Sequence, residues 1–360
     1  MMQAPLRRLI AGLDTIQAAY YLRPHFQGAF EFEPLMVAKE RLRADKIRKG
    51  ELLRIGGESF LLQGYGSKSG YPLVLDHVDF TIECGELNNP SFFVTYRSKA
   101  LWEKGAKALH ESFVSWAESV GLLVIRREKL SRVDFAFDYE LPSPDFDSDS
   151  VASLSAKDAQ YRGDRKVQTI QYGKGDVVLR IYNKVVEIEE QSDKVWLFQL
   201  WGTEKGVWRI EWQVRKEVLK RFSIRTFEDL FAGYGDVLRY LASEHDTMRI
   251  PNEDTNRSRW PMHPLWTDLI EQIENLPCQG VYREIDDQAA IREQLARLSV
   301  MLYGYSKRVA ALVALRDRRE KVMFGEAMYE LKGMLESAYE PITWDVDVAA
   351  KRVQTQFKGS

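Results

Sequence analysis

The stretch RIYNK at residues 180–184 ends an alternating apolar segment. It decides the fold together with RVDFAFD at 132–138 and RIEWQVR at 209–215. In each stretch polar and apolar residues alternate, which is the period of a β-strand with one buried face. Such alternation is typical of antiparallel sheets that cover one face and leave the other polar. The three stretches therefore predict an antiparallel sheet with charged side chains on one face.

The rest of the chain predicts an α+β domain followed by helices. Residues 99–121 predict one helix, and residues 142–165 predict a loop or a short helix between strands. Near Pro251 the composition changes, and apolar residues then recur every three or four positions, as on an amphipathic helix. The sequence thus predicts an α+β domain over residues 1–245, a helical C-terminal domain over 246–345 and a tail over 346–360.

A weak internal echo indicates an internally duplicated α/β unit in the first domain. DTIQA at residues 14–18 resembles DFAFD at 134–138, and VTYRSK at 94–99 resembles RIYNK at 180–184. Strands of similar composition also echo by chance, so the pattern permits a duplication without requiring it.

Bulk composition excludes several classes of protein. The 360 residues are 45% hydrophobic with a net charge of −2, as in a globular chain with a core. No uninterrupted apolar run of about 18 residues occurs, so we expect no membrane span. Two cysteines without metal-type spacing fit a reduced, cytoplasmic location. Phosphate-binding glycine loops, dinucleotide fingerprints and nucleophile elbows are also absent from the sequence.

Carboxylates on two of the predicted strands indicate a metal site. Asp134 and Asp138 lie four residues apart, so they share one face of a strand, and Glu211 has the same setting on a second strand. Hard carboxylate oxygens suit Mg²⁺ or Mn²⁺. Alternatively, these acids face solvent or pair with neighbouring arginines.

Tyr182 lies between two cations at the end of its strand. Arg180 and Lys184 flank it at two residues on either side, and Glu187 follows one turn into a predicted helix. A phenol with a pKa of about 10 is a poor nucleophile at neutral pH, and a nearby cation or metal ion lowers that pKa. A tyrosine in this place is otherwise an ordinary core or edge aromatic, so both interpretations stay open.

Four motifs, taken in order, resemble the replication initiation factor family of rolling-circle replication initiators. They are RVDFAFDY at 132–139, QYGKG at 171–175, LRIYNKVVE at 179–187 and WRIEWQVRKEVL at 208–219. SRWPMHPLW at 258–266 looks most like the filamentous-phage branch of that family. The resemblance covers residues 10–245. It implies a site-specific enzyme that binds a replication origin and nicks one DNA strand by transesterification.

By motif match, the resemblance implies a role for each candidate residue. Tyr182 is the nucleophile, which leaves a 5′-phosphotyrosine and a 3′-OH primer, with Lys184 and Arg180 beside it. Mg²⁺ or Mn²⁺ is held by Asp134, Asp138, Glu211 and Glu187. The arginines expected to contact DNA are Arg132, Arg209, Arg215, Arg257, Arg259 and Arg308. Three aromatics near the site are candidates for stacking on bases, with packing in the core as the alternative, namely Phe198, Trp201 and Trp208.

The resemblance also implies partners. These are double-stranded origin DNA, single-stranded DNA, a host helicase and polymerase, and a second copy of the chain, since termination needs a second transesterification. The helical domain would bind DNA or mediate dimerisation. Two other functions stay open from the residues alone. One is a DNA- or RNA-binding module without catalysis, and the other is a metal-dependent nuclease in which water replaces Tyr182 as the nucleophile.

Overall fold

The chain folds as a large antiparallel sheet with helices, followed by a helical C-terminal region, so the predicted α+β class is confirmed. The structure is a computed structural model that describes residues 6–25, 29–46, 50–141, 144–163, 166–192, 194–276 and 287–358. It divides into two compact units, residues 1–284 and residues 285–360.

Thirteen strands are present among the described residues, all in the first unit. They are β1 (Arg7–Pro24), β2 (Glu51–Ile55), β3 (Glu58–Leu62), β4 (Leu73–Asp76), β5 (Phe80–Cys84), β6 (Phe92–Tyr96), β7 (Leu122–Glu140), β8 (Val151–Ser153), β9 (Asp158–Gly163), β10 (Lys166–Tyr172), β11 (Val177–Asn183), β12 (Val207–Arg215) and β13 (Asp246–Met248). Eleven form one sheet in the order β2-β3-β4-β5-β6-β1-β7-β12-β11-β10-β9, and β8 pairs with β13.

Helices of the first unit connect these strands. They are α1 (Phe32–Ala44), α2 (Ser98–Lys104), α3 (Ala106–Ser119), α4 (Lys184–Glu187), α5 (Trp196–Trp201), α6 (Lys216–Arg221), α7 (Phe227–Tyr240) and α8 (Pro264–Glu274). Short 3₁₀ turns cover Ser148–Ser150 and Arg257–Arg259, and π-helical turns cover Ile188–Ser192 and Leu241–His245.

Alternation along the central strands separates an apolar face of the sheet from a polar one. On β7, Val133, Phe135 and Phe137 are buried in the main core. Asp134 lies between them and is paired directly with Gln213 of β12. Opposed residues of antiparallel strands share a face, so the charged residues predicted on β7 and β12 lie on the same side of the sheet.

The two faces are covered differently. The main core on the apolar face includes Leu35 of α1, Phe113 of α3, Leu230 of α7 and Leu269 of α8. A smaller cluster on the polar face joins α4 and α5 to the ends of β1 and β12 through Val185, Leu197, Trp201 and Val207, with Leu9 and Ile10 packed against it. We call the polar side the open face, because α4 and α5 cover only one end of it.

The order of the sheet repeats across its centre. β1 and β7 lie side by side at the centre. β6 is the outer neighbour of β1, and β12 is the outer neighbour of β7. Each outer strand is followed in the chain by a short helix and then a longer one. These helices are α2 and α3 in one half, and α6 and α7 in the other. The repeat supports the predicted duplication, but it matches β6 with β12. The expected match of residues 94–99 with 180–184 is therefore wrong, because 180–184 lie on β11 and the first residue of α4.

Two predicted elements differ from the structure. The single helix expected over residues 99–121 is divided at Gly105, whose φ of 82° is a backbone conformation that favours glycine. This break turns the chain from α2 into α3. The loop expected over 142–165 contains the 3₁₀ turn, β8 and β9. Polar composition concealed these strands because β9 lies at the edge of the sheet, where most of its residues are exposed or half-buried.

The second unit consists of α9 (Asp287–Arg316), α10 (Phe324–Ala338) and α11 (Pro341–Lys358). Val313 and Ala327 are buried where α9 and α10 pack, and Arg316 forms an ion pair with Glu330 at 3.0 Å. Much of the predicted apolar stripe of α9 is exposed within this unit, with Leu298, Leu302, Leu312 and Leu315 all more than half exposed.

By length and composition alone, Leu298–Arg316 is a stretch that could cross a membrane, which by itself is weak evidence for a span. The sequence analysis assigned the nicking activity to residues 1–245 and DNA binding or dimerisation to residues 246–345. That assignment stays a prediction.

Candidate active site

A cleft of about 660 Å³ lies on the open face of the sheet and crosses β7, β12, β11 and β10. Seven of the predicted site residues line it, namely Arg132, Asp134, Arg180, Tyr182, Lys184, Glu187 and Glu211. Asp14, Tyr161, Gln171 and Lys194 are also among its walls. Residues that are far apart in the sequence are thus brought to one place by strand pairing.

Local structure fixes Tyr182 at the end of β11. The next residue, Asn183, caps α4, because its side chain accepts a hydrogen bond from the backbone N–H of Val186 at 3.2 Å. The strand therefore ends one residue beyond Tyr182, and the helix carries Lys184 and Glu187 back over the cleft.

Tyr182 contacts one of the predicted carboxylates directly. Its hydroxyl donates to Glu211 Oε2 at 2.9 Å, and Arg180 Nη1 donates to the other oxygen, Oε1, at 3.0 Å. The tyrosine is only 8% exposed but lines the cleft. The phenol oxygen is thus held in a fixed direction beside a carboxylate and a guanidinium.

Burial is the main cause that raises the pKa of Tyr182 well above its usual range, and the charge of Glu211 adds to it, although Arg209 opposes both. The expectation that flanking cations lower this pKa is therefore wrong for the resting protein. The phenol is neutral, so it must lose its proton during any reaction in which it attacks. Glu211 Oε2 is the acceptor already positioned for that proton.

Asp134 is paired with its own strand neighbour. Arg132 Nε donates to Asp134 Oδ1 at 2.7 Å, and Arg132 Nη2 contacts Oδ2. Burial nevertheless raises the pKa of Asp134 to about 6, with Glu211 and Asp14 adding their repulsion. Above about pH 6 this carboxylate is ionised in a cleft that already holds other acids.

Lys184 is almost fully buried beneath the cleft. Its Nζ lies 2.5 Å from Glu187 Oε2 and 5.4 Å from the centre of the Tyr182 ring. Glu187 Oε2 also accepts a hydrogen bond from Ser192 Oγ at 3.1 Å. Burial lowers the pKa of Lys184, and the charges of Arg209 and Lys194 lower it further. Only Glu187 and its hydrogen bond oppose this shift.

A buried ionic network lies behind these residues. Arg209 donates to Asp138 through Nε at 2.6 Å and Nη2 at 2.8 Å, and to Asp14 Oδ1 through Nη1 at 2.7 Å. Trp201 Nε1 donates to Asp138 Oδ2 at 2.8 Å, and Ser98 and Trp102 donate to Asp14. The sequence motifs did not identify Asp14 as a site residue. The similarity of residues 14–18 to residues 134–138 could have indicated it.

This network corrects two predicted roles. Asp138 has no exposed side-chain surface, and Arg209 and Trp201 occupy its oxygens, so it is not available as a metal ligand. Arg209 is also fully buried, so it cannot contact DNA in this structure. Both residues were placed on the correct face of the sheet. The burial comes from α5, which the strand pattern could not reveal.

The remaining predicted contacts lie outside the cleft walls. Arg215 and Arg308 are exposed, Arg257 pairs with Asp149 at 2.8 Å, and Arg259 lies 3.9 Å from Asp254. Their DNA contacts stay predictions. Trp208 packs against Phe146 in the main core, Trp201 is buried against Asp138, and Phe198 is half-buried beside Trp201. Trp201 and Trp208 are buried, so for these two the alternative of core packing holds and base stacking does not.

The predicted four-carboxylate metal set does not fit the structure as a whole. In the described parts of the chain, no group of three or more histidine, cysteine, aspartate or glutamate side chains is arranged to hold a metal ion. Asp138 is enclosed, and Glu187 is bound to Lys184. Asp134 and Glu211 both line the cleft, and their donor chemistry suits Mg²⁺, which is often held by one or two carboxylates together with substrate phosphates.

The fold and the cleft define an α+β protein with a polar site on its central sheet. Residues 91–233 match the phage CRI family model, which describes the N-terminal part of a replication-associated protein. This stretch contains all seven predicted residues of the cleft, and the predicted resemblance to replication initiators is thereby confirmed for it. The matched stretch is shorter than half of the chain.

One solved structure that resembles this chain is the rolling circle replication initiator protein from Geobacillus stearothermophilus. It has 16% sequence identity and a TM-score of 0.44, and the comparison covers 76% of this chain and 98% of that chain. A comparison with curated proteins finds no match.

Replacing Arg209 by methionine is expected to destabilise the protein by about 3 to 5 kcal/mol, because Asp14 and Asp138 would keep buried charges without their main cation. Urea denaturation of Arg209→Met measures the loss. The control is Arg127→Met, which breaks a surface ion pair with Glu228 and costs at most about 1 kcal/mol. Similar stabilities for the two variants would show that the network does not hold the central strands together.

The pKa of Asp134 predicts a pH dependence of stability. Its folded value of about 6 is above the unfolded one, so this group makes the protein lose stability as the pH rises from about 4 to about 6. Asp134→Asn removes the effect. We expect the variant to gain about 2 to 3 kcal/mol relative to the wild type between pH 4 and pH 7.

Denaturation of both proteins across this range in EDTA measures that difference. A constant difference would mean that folding does not raise the pKa of Asp134.

Proposed function

We propose that this protein is a replication initiator that nicks one strand of a replication origin through Tyr182. The products are a 5′-phosphotyrosine and a free 3′-OH that primes synthesis. The observation that carries the proposal is the hydrogen bond of 2.9 Å from the Tyr182 hydroxyl to Glu211 inside a cleft that also contains Arg180 and Lys184. The phenol oxygen, which is the atom that would attack, is thereby aligned on an oxygen that can accept its proton.

The reaction follows from this hydrogen bond. As the phenol oxygen attacks phosphorus, its proton passes to Glu211 Oε2. The new bond joins phosphorus to the tyrosine oxygen, and the bond from phosphorus to O3′ breaks. The departing O3′ takes a proton from water. The energy of the phosphodiester stays in the protein–DNA ester, so the strand is rejoined later without another energy source.

Cations in the cleft bind and orient the phosphate. Arg180 is partly exposed and already lies beside Glu211, and Arg132, which also lines the cleft, lies beside Asp134. Guanidinium groups bind phosphate oxygens through two parallel hydrogen bonds. When DNA enters, each arginine would exchange a contact with its own carboxylate for a contact with phosphate. Arg132 would thereby release Asp134, and Arg180 would release Glu211.

A divalent cation, Mg²⁺ or Mn²⁺, would be held by these two carboxylates together with DNA oxygens. When bound, it would withdraw negative charge from the scissile phosphate. Glu187 remains the partner of Lys184 and keeps its buried ammonium group neutralised next to Tyr182. We further propose origin DNA and single-stranded DNA as substrates, a homodimer, a host helicase and polymerase as partners, and a cytoplasmic location.

A hydrolytic nuclease is the second candidate, since Asp134 and Glu211 also suit a metal-bound water. A denaturing gel separates the two. Wild-type protein is mixed with Mg²⁺ or Mn²⁺ and labelled oligonucleotides that tile the DNA encoding it. We expect a covalent adduct with the wild type and none with Tyr182→Phe, and a rate about 10² to 10³ times lower with Glu211→Gln.

Tyr161→Phe is the control for this assay, because Tyr161 lines the same cleft but is 58% exposed. It should form the adduct at the wild-type rate. Cutting by Tyr182→Phe without an adduct would favour the nuclease, and binding without cutting by the wild type would favour a binding module.

Metal binding has a readout that does not depend on activity. At pH 7.5 we expect Mn²⁺ to raise the melting temperature of the wild type in a saturable way, because a ligand of the native state stabilises it. Asp134→Asn should lose this increase. Asp149→Asn, which changes an exposed acid outside the cleft walls, should retain it. An equal increase in all three proteins would exclude Asp134 as a ligand.

A further inference from the structure

The open face continues beyond the cleft along β1 and β7. Four directly opposed pairs follow one another on this face, beginning at the wall of the cleft with Thr15 and Asp134. The next pairs are Gln17 with Arg132, Ala19 with Lys129, and Tyr21 with Arg126. Irregularities in the strand pairing between them keep each pair on the open side. The residues between them, Ile16, Ala18 and Tyr20, are buried in the main core on the other side.

This row is accessible and carries cations. Lys129 and Arg126 are exposed, while Gln17 and Ala19 are half-buried. Within the described parts of the chain, no acid lies at ion-pair distance from Lys129 or Arg126. Arg132 is paired with Asp134. On the neighbouring strands of this face, Asp76 is occupied by Arg97, and Glu83 lies three strands away from Lys129. Glu86 is exposed and lines the same cleft as Arg126, without forming an ion pair with it.

Arg126 is held flat by an aromatic ring. Its guanidinium carbon lies 3.4 Å from the centre of the Tyr21 ring, and Nη2 donates to Asn89 at 3.3 Å. This contact is a cation–π interaction that fixes one plane of the guanidinium. Since Arg126 is exposed, its other plane is available to stack on a planar group such as a nucleobase.

A second cleft marks the far end of the row. Its volume is about 370 Å³, and Tyr21, Arg23, Asn89, Ser91 and Arg126 are among its walls. The six-residue interval from Thr15 to Tyr21 corresponds to about 20 Å of strand. The row of opposed pairs therefore leads from one cleft to the other, with a cation in each pair beyond Asp134.

We propose that this row, Arg132, Lys129 and Arg126 on Tyr21, binds the single DNA strand that flanks the cut. The inference rests on the proposed function, because it supplies the path of the strand whose phosphate reaches Tyr182. Lys129 and Arg132 contact phosphates, and a base stacks on Arg126. Single strands are bound by a track of cations along the phosphates together with planar side chains on which bases stack, and here the exposed plane of Arg126 supplies the stacking surface.

Equilibrium binding tests this surface without requiring any cutting. The probe is a fluorescent oligothymidine of 20 nucleotides, and the protein is the full chain with Tyr182→Phe, so that no adduct forms. We expect Arg126→Ala with Lys129→Ala to weaken binding about tenfold at low salt. The slope of log K against log salt should fall by about 0.7 for each phosphate that the double variant no longer neutralises.

The control is Arg127→Ala, which removes an exposed arginine of the same strand that faces Glu228 of α7 instead of the open face. It should leave both affinity and salt slope unchanged. Arg126→Lys tests stacking, because it retains the charge without the planar group and should recover only part of the loss. Unchanged affinity and slope in the double variant would overturn the proposal. Equal weakening of a duplex probe would also overturn it, since the surface would then not select single strands.

The outcome is separable from that of the nicking proposal. A wild-type chain that forms no adduct, but whose binding depends on Arg126 and Lys129, would contradict the nicking mechanism and leave this surface in place. A chain that forms the adduct normally, with binding unaffected by the double variant, would remove the surface and leave the mechanism in place.

Discussion

A fully buried guanidinium connects the three strands at the centre of the sheet. Arg209 of β12 bonds to Asp138 of β7 and, across that strand, to Asp14 of β1. A buried charge is tolerated only when its partners satisfy it, so a change in the register of any of these strands would leave a charge unpaired. Tyr182 is paired directly with Arg209 on the next strand. The position of the phenol oxygen therefore depends on this network.

The cleft in front of the network contains nearly matched opposite charges. Asp134 is paired with Arg132, Glu211 with Arg180, and Glu187 with Lys184. This matching explains how a chain with a net charge of −2 can present cations to a polyanion. The cations are occupied until a phosphate competes for them. Under the proposed function, binding of DNA would exchange these ion-pair partners and would make carboxylates available at the same step.

Much of the site could be predicted from the sequence because strand alternation fixes which side chains share a face. Alternation placed Arg180 and Tyr182 on one face of their strand, but the meeting of Asp134 with Glu211 also required that their strands be neighbours, as β7 and β12 are. The burial of Asp138 and Arg209 was not predictable in this way, because it depends on Trp201 of a helix that packs over the strands. The pairing of β1 with β7 is irregular at Asp14, which is an extra residue in β1. A simple alternating pattern does not include such a residue, so Asp14 was missed. The break at Gly105 was also missed, since apolar spacing continues across it.

The repeated order of the sheet has a consequence for how the protein can be divided. Tyr182 and Glu211 belong to the second half, but the guanidinium behind them takes one of its two acids from β1 in the first. The cleft is therefore built by both halves of the sheet, and a fragment that contained only the second half would lack one of the two acids that hold Arg209.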